Sequence, residues 1–546
     1  MHSQVTEVVR RLKAFGEVYV RDGVVKVVTD EDRLKDLILH LLQSLNARLA
    51  TTVGVDTRVL THDYRVIHIF SIDDLKIYVL VELKVPMERP TVRSITPLIP
   101  GADWSEREVR DLLGIEFRGH PIKEYLIRRP KLWLEYAYPL RKDYPHSEKV
   151  LVPSPQYDIE PTKGFSVAIG PYHPALHEPE HFELVVDGER IVEARYCGFM
   201  VHRGIEKLGE SRLDIYQVPF IAERICGICG FTHSVAYTQA IESALGIDPP
   251  ERAKYIRSIL LEIERVHSHL LWFGVLFHVL GFDTGFMNVW RIREPVMELA
   301  ELLTGNRKTY GVNKVGGVRR DIDESKVKKV KEVVNRVRKE FTELIDKFLN
   351  LSEVVERTKG VGVLEVTDAK KLCVVGPTAR ASSIDIDTRR DHPYAAYPNA
   401  EFKVPVSDGC DVYSRALVRK DEILESLSII EQLISDLPKT PLAIEEVPFK
   451  ELSEGVGATE APRGENVHYV ITGRSRKLFR WRVRAPSYAN IPALLYMLKD
   501  QHLADAPAII ASIDPCFSCT DRVLVIDLRY GTKKYVSLRR LRSLGG

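Results

Sequence analysis

"RICGICGFTH" at residues 224–233 and "DPCFSCTDR" at residues 514–522 each carry two cysteines separated by two residues. Two thiolates at that spacing reach one ion without distorting the backbone, and a CxxC loop or helix start lowers thiol pKa toward the form that binds. Taken together the pairs offer four soft sulfur donors, a set that suits zinc or an iron–sulfur centre first. Structural zinc draws its ligands from a compact module. Here the first pair leads into a predicted helix and the second follows the strand-like run "APAIIASI", with a helical region between them. A metal shared by both would lie in the middle of a large domain. Spacing leaves structural zinc and a buried catalytic or redox metal both open, and it does not name the element.

The bulk composition narrows the setting. A chain of 546 residues predicts at least two domains. A formal net charge of +2 gives no sign of a nucleic acid or an anionic membrane as partner. The N-terminus "MHSQVTEVVRRLKAFGEVYV" lacks the apolar stretch and cleavage site of a secretion signal. The most apolar run, "LLWFGVLFHVLGF" from Leu270, is shorter than the ~18–20 residues that cross a bilayer and reads as a buried helix. The cysteine pattern is not a disulfide framework, so a reducing, cytoplasmic setting is expected. Cys197, Cys373 and Cys410 read as small buried residues.

Along the chain, residues 1–148 form a first domain of α/β type. "EDRLKDLILHLLQSLNARL" (31–49) has helical spacing, while "YRVIHIFSI" (64–72) and "LKIYVLVELKV" (75–85) read as paired strands. The proline-bearing stretch 139–164 marks a connection, with the linker proper at 149–164. A hairpin turning at "DGE" (187–189) then opens a large, mostly helical domain over 165–522, giving an α+β chain overall. Helices are predicted at 250–271, 323–358 and 413–437. In the first, Ile256, Ile259, Leu260, Ile263 and Val266 make an inward stripe. The charged 323–340 stretch reads as a solvated helix face. Residues 523–546 form a basic C-terminal extension.

Both cysteine motifs resemble those of nickel–iron hydrogenase large subunits. "GPYHPALHEPEHFELVVDGE", "VHRGIEKLGESR", "LLEIERVHSHLL", "LTGNRKTYG", "VGGVRRD", "ATEAPRGENVHY" and "KLFRWRVRAPSYAN" follow in order and are similar to the membrane-bound, energy-converting group of formate-hydrogenlyase type. "GADWSEREVRDLLGIEFRGHP" with "YPLRKDYP" resembles the small hydrophilic docking subunit of respiratory complex I, which is fused in this order in that type. The resemblance implies that Cys226 and Cys516 bind nickel terminally and that Cys229 and Cys519 bridge nickel and iron. The iron is expected to hold carbon monoxide and cyanide. By the same resemblance Cys516 is expected to take the first proton of heterolytic hydrogen chemistry. Glu178 in "HEPEHF" passes protons on, with Glu180 as the other candidate. Read without the resemblance, either glutamate is a solvated hairpin charge.

The same resemblance places Arg463 over the open metal position, with Asp514 paired to it or lining the same pocket. It makes His233 a donor to a thiolate or to a ligand of the metals. Read alone, Arg463 and Asp514 are a surface salt bridge or a cap, and His233 an ordinary satisfied polar group. Two departures stand out. The family's magnesium-binding histidine is Arg522 here, and an arginine cannot bind magnesium, although its partner Glu206 remains. Ser268 stands where uptake relatives place an acid. A maturation protease is expected to cut behind Arg522 and release 523–546.

With no further cluster-ligand pattern in the chain, electrons must come through a separate small iron–sulfur subunit. Complex I-like membrane subunits and an electron-donor module (formate dehydrogenase, carbon monoxide dehydrogenase or ferredoxin) are the other partners implied. The expected place is the cytoplasmic face of the membrane, reached through those partners. The competing readings are a fused complex I-type quinone-reductase subunit without hydrogenase activity, and a non-catalytic zinc scaffold.

Overall fold

The computed structural model describes residues 2–21, 23–127, 138–144, 165–169, 178, 180–199 and 203–517. The stretch read as the linker, 149–164, and the extension 523–546 lie outside these residues.

The N-terminal part is built on a five-stranded sheet. Its order is Glu17–Arg21, Val24–Thr29, Ile77–Pro86, Asp63–Ile72 and Arg48–Asp56. Only Val24–Thr29 and Ile77–Pro86 run parallel; helix Glu31–Leu45 leads out of the first, and Arg48–Asp56 and Asp63–Ile72 follow before the chain reaches the second. Asp30 caps that helix by accepting from the Arg33 N–H, and Asn46 ends it in the left-handed region. The helical pattern read to residue 49 therefore stops early, and Arg48 already begins an edge strand. Helix Asp103–Leu113 packs on this strand at Gly54, where a Cβ would lie 2.5 Å from Leu113 Cδ1.

In the large part, Phe165–Ile169, His181–Asp187 and Arg190–Cys197 form a small antiparallel sheet, with the turn at 188–189 as the sequence predicts. A helix spanning Glu251–Val279 runs through the core and takes in much of the apolar run from Leu270. The stripe Ile256, Ile259, Leu260, Ile263 and Val266 is buried. The opposite face is buried too: Glu262, Glu264, Arg265, His267, Ser268 and His269 are all fully enclosed. This surface, which an amphipathic helix leaves to water, is enclosed because other chain segments bring charged partners to it. The helix predicted over 323–358 breaks after Leu349, and Val412–Ser435 forms as expected. "APAIIASI" is a helix, Ala506–Ser512, and not a strand. A short apolar run does not distinguish the two, and Pro507 in the first turn favours the helix.

Sequence spacing did not single out the sheet of Glu454–Ala461, Gly464–Thr472 and Leu478–Arg484. One face of it lies on helix Gly230–Leu245, where a Cβ at Gly455 would meet Ala240 O at 2.0 Å. The other face packs Val456, Val467, Tyr469 and Ile471 against Val53, Ile67, Ile69 and Leu80 of the N-terminal sheet. Along Leu478–Arg484 the alternation of a strand turns Arg480, Arg482 and Arg484 the same way. Arg480 Nε donates to Gly54 O and Arg484 Nε to Ala50 O, both at 2.8 Å, while Arg482 pairs with Glu108. Three guanidiniums thus fasten the N-terminal strand and helix Asp103–Leu113 to the large part.

Removing one partner of a buried pair leaves an uncompensated charge that costs about 3–5 kcal/mol. Glu108→Ala is therefore expected to lower the unfolding midpoint and expose the N-terminal part to limited proteolysis. Adding Arg482→Met should restore most of the loss.

Candidate metal centre

The first thiol pair sits on the turn that enters helix Gly230–Leu245, with Cys229 at the cap position. Two of that helix's leading N–H groups, of Phe231 and Thr232, are bound at 2.8 and 3.0 Å by Glu264, which reaches across from the long helix. Burial pushes Glu264 up to about 8, against the pull of Thr232 and these N–H groups. The turn is further held by Tyr310, whose hydroxyl donates to Cys226 O at 2.9 Å. Glu223 accepts from the Gly311 N–H at 3.0 Å and is itself raised to about 7 by burial. Cys226 Sγ accepts from the N–H groups of Ile228 and Cys229 at 3.3 and 3.0 Å, a small backbone nest suited to negative charge.

From the far end of the chain, helix Ala506–Ser512 delivers Asp514, at φ 55°, and then Cys516, whose N–H donates to Ser487 Oγ at 3.0 Å. Cys226 Sγ lies 2.9 Å from Cys229 Sγ and 3.4 Å from Cys516 Sγ. All three are buried. Cys519 and Arg522 lie outside the described residues.

Arg463 faces this group. Its Nε donates to Asp514 O at 2.5 Å, its Nη2 to Asp514 Oδ1 at 2.7 Å, and its Nη1 approaches Ser268 Oγ at 3.4 Å. Burial alone would lower its pKa, but Asp514 and then Cys229, Cys516 and Cys226 raise it well above the ordinary arginine value. A permanent cation therefore looks onto the sulfur cluster.

His233, in the first turn after Cys229, has a partner that fixes its proton. Trp481 Nε1 can only donate, and it donates to His468 Nδ1 at 3.2 Å. Neutral His468 then carries its hydrogen on Nε2 and donates to His233 Nδ1, also at 3.2 Å. That leaves His233 Nε2 as the N–H donor.

The two glutamates of "HEPEHF" differ: Glu180 is wholly buried and Glu178 partly so. Glu206 is taken up by nitrogen donors. Its Oε1 accepts from the Val483 N–H and its Oε2 from Arg480, both at 2.9 Å, with Arg482 at 3.6 Å. Magnesium demands an octahedron of oxygens, and a dication here would meet two guanidiniums. The residues do not fit it. Cys373 and Cys410 are buried as expected, whereas Cys197 is partly exposed at a strand end.

Sequence reading missed Glu264, Tyr310, Ser487, His468 and Arg480 as supports of the site. Each lies inside a motif that was noticed, but only the fold shows which faces meet the cysteines. The three thiols fit a soft metal better than any hard cation, because sulfur donors are gathered out of water beside one fixed positive charge.

Comparison with known proteins agrees with this chemistry. The family described as "Nickel-dependent hydrogenase" matches residues 203–343. The "Respiratory-chain NADH dehydrogenase, 30 Kd subunit" matches 27–150, and the corresponding 49 Kd subunit matches 280–454 and 444–522. Formate hydrogenlyase subunit 5 of Escherichia coli (strain K12) is 42% identical over 93% of this chain and 90% of its own length. Hydrogenase-4 component G of the same organism is 42% identical over 94% and 90%. A solved structure of the membrane-bound sulfane sulfur reductase, an archaeal respiratory membrane complex, matches with a TM-score of 0.63 and 32% identity. It covers 66% of this chain and 100% of that one. These matches define a nickel-dependent hydrogenase large subunit. The chain belongs to the membrane-bound, energy-converting, formate hydrogenlyase type of that family, with a complex I 30 Kd-like domain fused ahead of it. No helix among the described residues is long and apolar enough to cross a membrane.

Proposed function

We propose that Cys226 and Cys516 hold nickel, that Cys229 and Cys519 hold both nickel and iron, and that the iron carries carbon monoxide and cyanide. The convergence of Cys229 and Cys516 on Cys226, at 2.9 and 3.4 Å, under Arg463 is the observation that carries this reading. When bound, such a centre supplies heterolytic splitting of hydrogen and its reverse. The chain's own groups do the rest. Arg463, tethered by two bonds to Asp514, points a fixed charge at the space over the sulfurs and orients a small molecule there. The Cys516 thiolate takes a proton next to that space. His233 Nε2–H serves as a fixed donor beside the cysteines. Glu178 passes protons outward, with Glu180, the fully enclosed neighbour, as the other carrier.

Electrons reach the site from a small iron–sulfur subunit. The chain sits at the cytoplasmic face of the membrane on complex I-like membrane subunits, and a formate, carbon monoxide or ferredoxin-linked module supplies the donor. A protease removes residues 523–546 behind Arg522, so the active chain should have the mass of one ending there. An active chain ending at Gly546 contradicts that step. Arg480 supplies the positive charge beside Glu206, so the purified complex should contain nickel and iron and no stoichiometric magnesium by elemental analysis after gel filtration.

The fused quinone-reductase reading shares the 30 Kd and 49 Kd matches but finds no use for thiols gathered under Arg463. The deciding test is nickel and iron content of the purified complex, measured with dye-linked hydrogen oxidation. Nickel with iron and hydrogen oxidation support the hydrogenase. Zinc alone, or neither metal, with no hydrogen oxidation contradicts it.

A further inference from the structure

Beyond Arg463 and Asp514 lies a second set of enclosed polar groups that the proposed chemistry does not use. Arg419, on helix Val412–Ser435, is fully buried over the Trp272 ring, 4.2 Å from its centroid. Its Nη1 donates to Arg415 O at 3.1 Å, while Nε and Nη2 find no hydrogen-bond partner. Asp514 Oδ2 and His269 Nδ1 are likewise unmatched and buried. These atoms belong together, because the charge of Arg419 interacts with Asp514 and Glu422, and that of His269 with Glu422 and Arg419. More than nine-tenths of buried polar groups are paired. A cluster of unmatched donors and acceptors is a place where internal water bridges them.

Direct bonds bring the next carboxylates together. His269 Nε2 lies 2.8 Å from Glu422 Oε2. Glu422 Oε1 accepts from Arg380 at 2.6 Å, and another arm of the same guanidinium donates to Glu460 Oε1 at 2.9 Å. Glu460 in turn lines a cavity of about 10 Å³, room for a single water, together with Asp387, Asp391, Asp73, Arg48 and Glu465. That cavity lies where the N-terminal sheet meets the large part, and Asp73 there is partly exposed.

We infer that protons also travel between the Arg463–Asp514 pair and this cleft through a relay of His269, Glu422 and Glu460. The proposal rests on the hydrogenase reading and deepens it. A proton arriving at His269 Nδ1 makes the ring transiently cationic, and the proton on Nε2 passes to the Glu422 carboxylate. It then moves by way of water to Glu460 and the cavity, with no change in electron count. Arg380 and Arg265 hold the carboxylates in place without accepting protons, and Arg380 above all keeps Glu422 well below the usual carboxylate range despite its burial, so any proton it takes is passed on at once. Burial lowers His269 to about 4 although Glu422 opposes this, so at neutral pH the ring rests neutral and gives up at once any proton it takes. Burial, followed by Asp387, raises Glu460. A network serving stability alone has no reason to leave both Arg419 nitrogens and His269 Nδ1 unmatched.

The test uses the complete purified complex with His269→Gln, which keeps a donor toward Glu422 and cannot shuttle. Nickel and iron content should stay at the wild-type level, while kcat for dye-linked hydrogen oxidation falls by roughly tenfold or more. The solvent isotope effect should rise, and added imidazole should restore part of the rate. A fully metallated variant with wild-type kcat and isotope effect overturns the relay and leaves the hydrogenase reading intact. Should His269→Gln lose its metals, Glu460→Gln at the far end decides by the same two readouts. Unchanged turnover and isotope effect there overturn the relay as well. Wild-type complex without nickel and without hydrogen oxidation overturns both.

Discussion

Cys516→Ser is expected to drop bound nickel and hydrogen turnover together, each by roughly a hundredfold or more, with the fold retained. Changing a partner that merely orients a metal ligand already costs about 10–100-fold in affinity, and Cys516 is placed as a ligand. Serine offers a harder oxygen that stays protonated at neutral pH and does not replace a soft thiolate. The volume change is small and the position is enclosed, so no large cavity arises. Its backbone N–H still meets Ser487, and Asp514 still pairs with Arg463, so the local turn persists. Elemental analysis, circular dichroism and dye-linked hydrogen oxidation on one preparation check this. Full nickel with full activity in the variant would mean that this sulfur is not a ligand.

Arg463→Lys separates orientation from metal binding. Lysine keeps the charge but loses the fork that bonds Asp514 O and Oδ1 together while reaching Ser268. Loss of one aimed charge or donor at a reacting centre costs about 10²–10³ in kcat. Nickel and iron content should therefore remain, with turnover down by that factor and KM changed far less. The positive charge next to Asp514 is preserved, which avoids the buried unpaired carboxylate that alanine would create. A lysine variant that turns over at the wild-type rate would show that Arg463 only braces the turn.

Much of this site was legible because cysteine pairs and the arginine of "EAPRG" carry chemistry in their residue type. The hairpin at 187–189 and the paired strands 64–72 and 75–85 were legible from alternation and turn residues. The long helix was visible too, but its fate was not. Glu262, Glu264 and His269 share the helix surface with the apolar stripe, and they are dry because Arg389 and Glu422 arrive from distant segments to meet Glu262 and His269, while Glu264 binds the start of helix Gly230–Leu245. The role of Glu264 in finishing helix Gly230–Leu245 depends on a contact across 33 residues, to which no local pattern points. "APAIIASI" was misread because its few apolar residues fit either period. Arg480 stood in a recognised motif, yet its bond to Glu206 joins strand to helix and emerges only from the packed sheets.

The central claim is that sulfur from the two cysteine motifs surrounds one nickel. X-ray absorption at the nickel edge of the purified, active complex addresses it directly. The account predicts sulfur as the main near neighbour of nickel, with an iron atom just beyond, and loss of sulfur scattering in Cys516→Ser. Nickel surrounded only by nitrogen and oxygen, with no iron nearby, would contradict it.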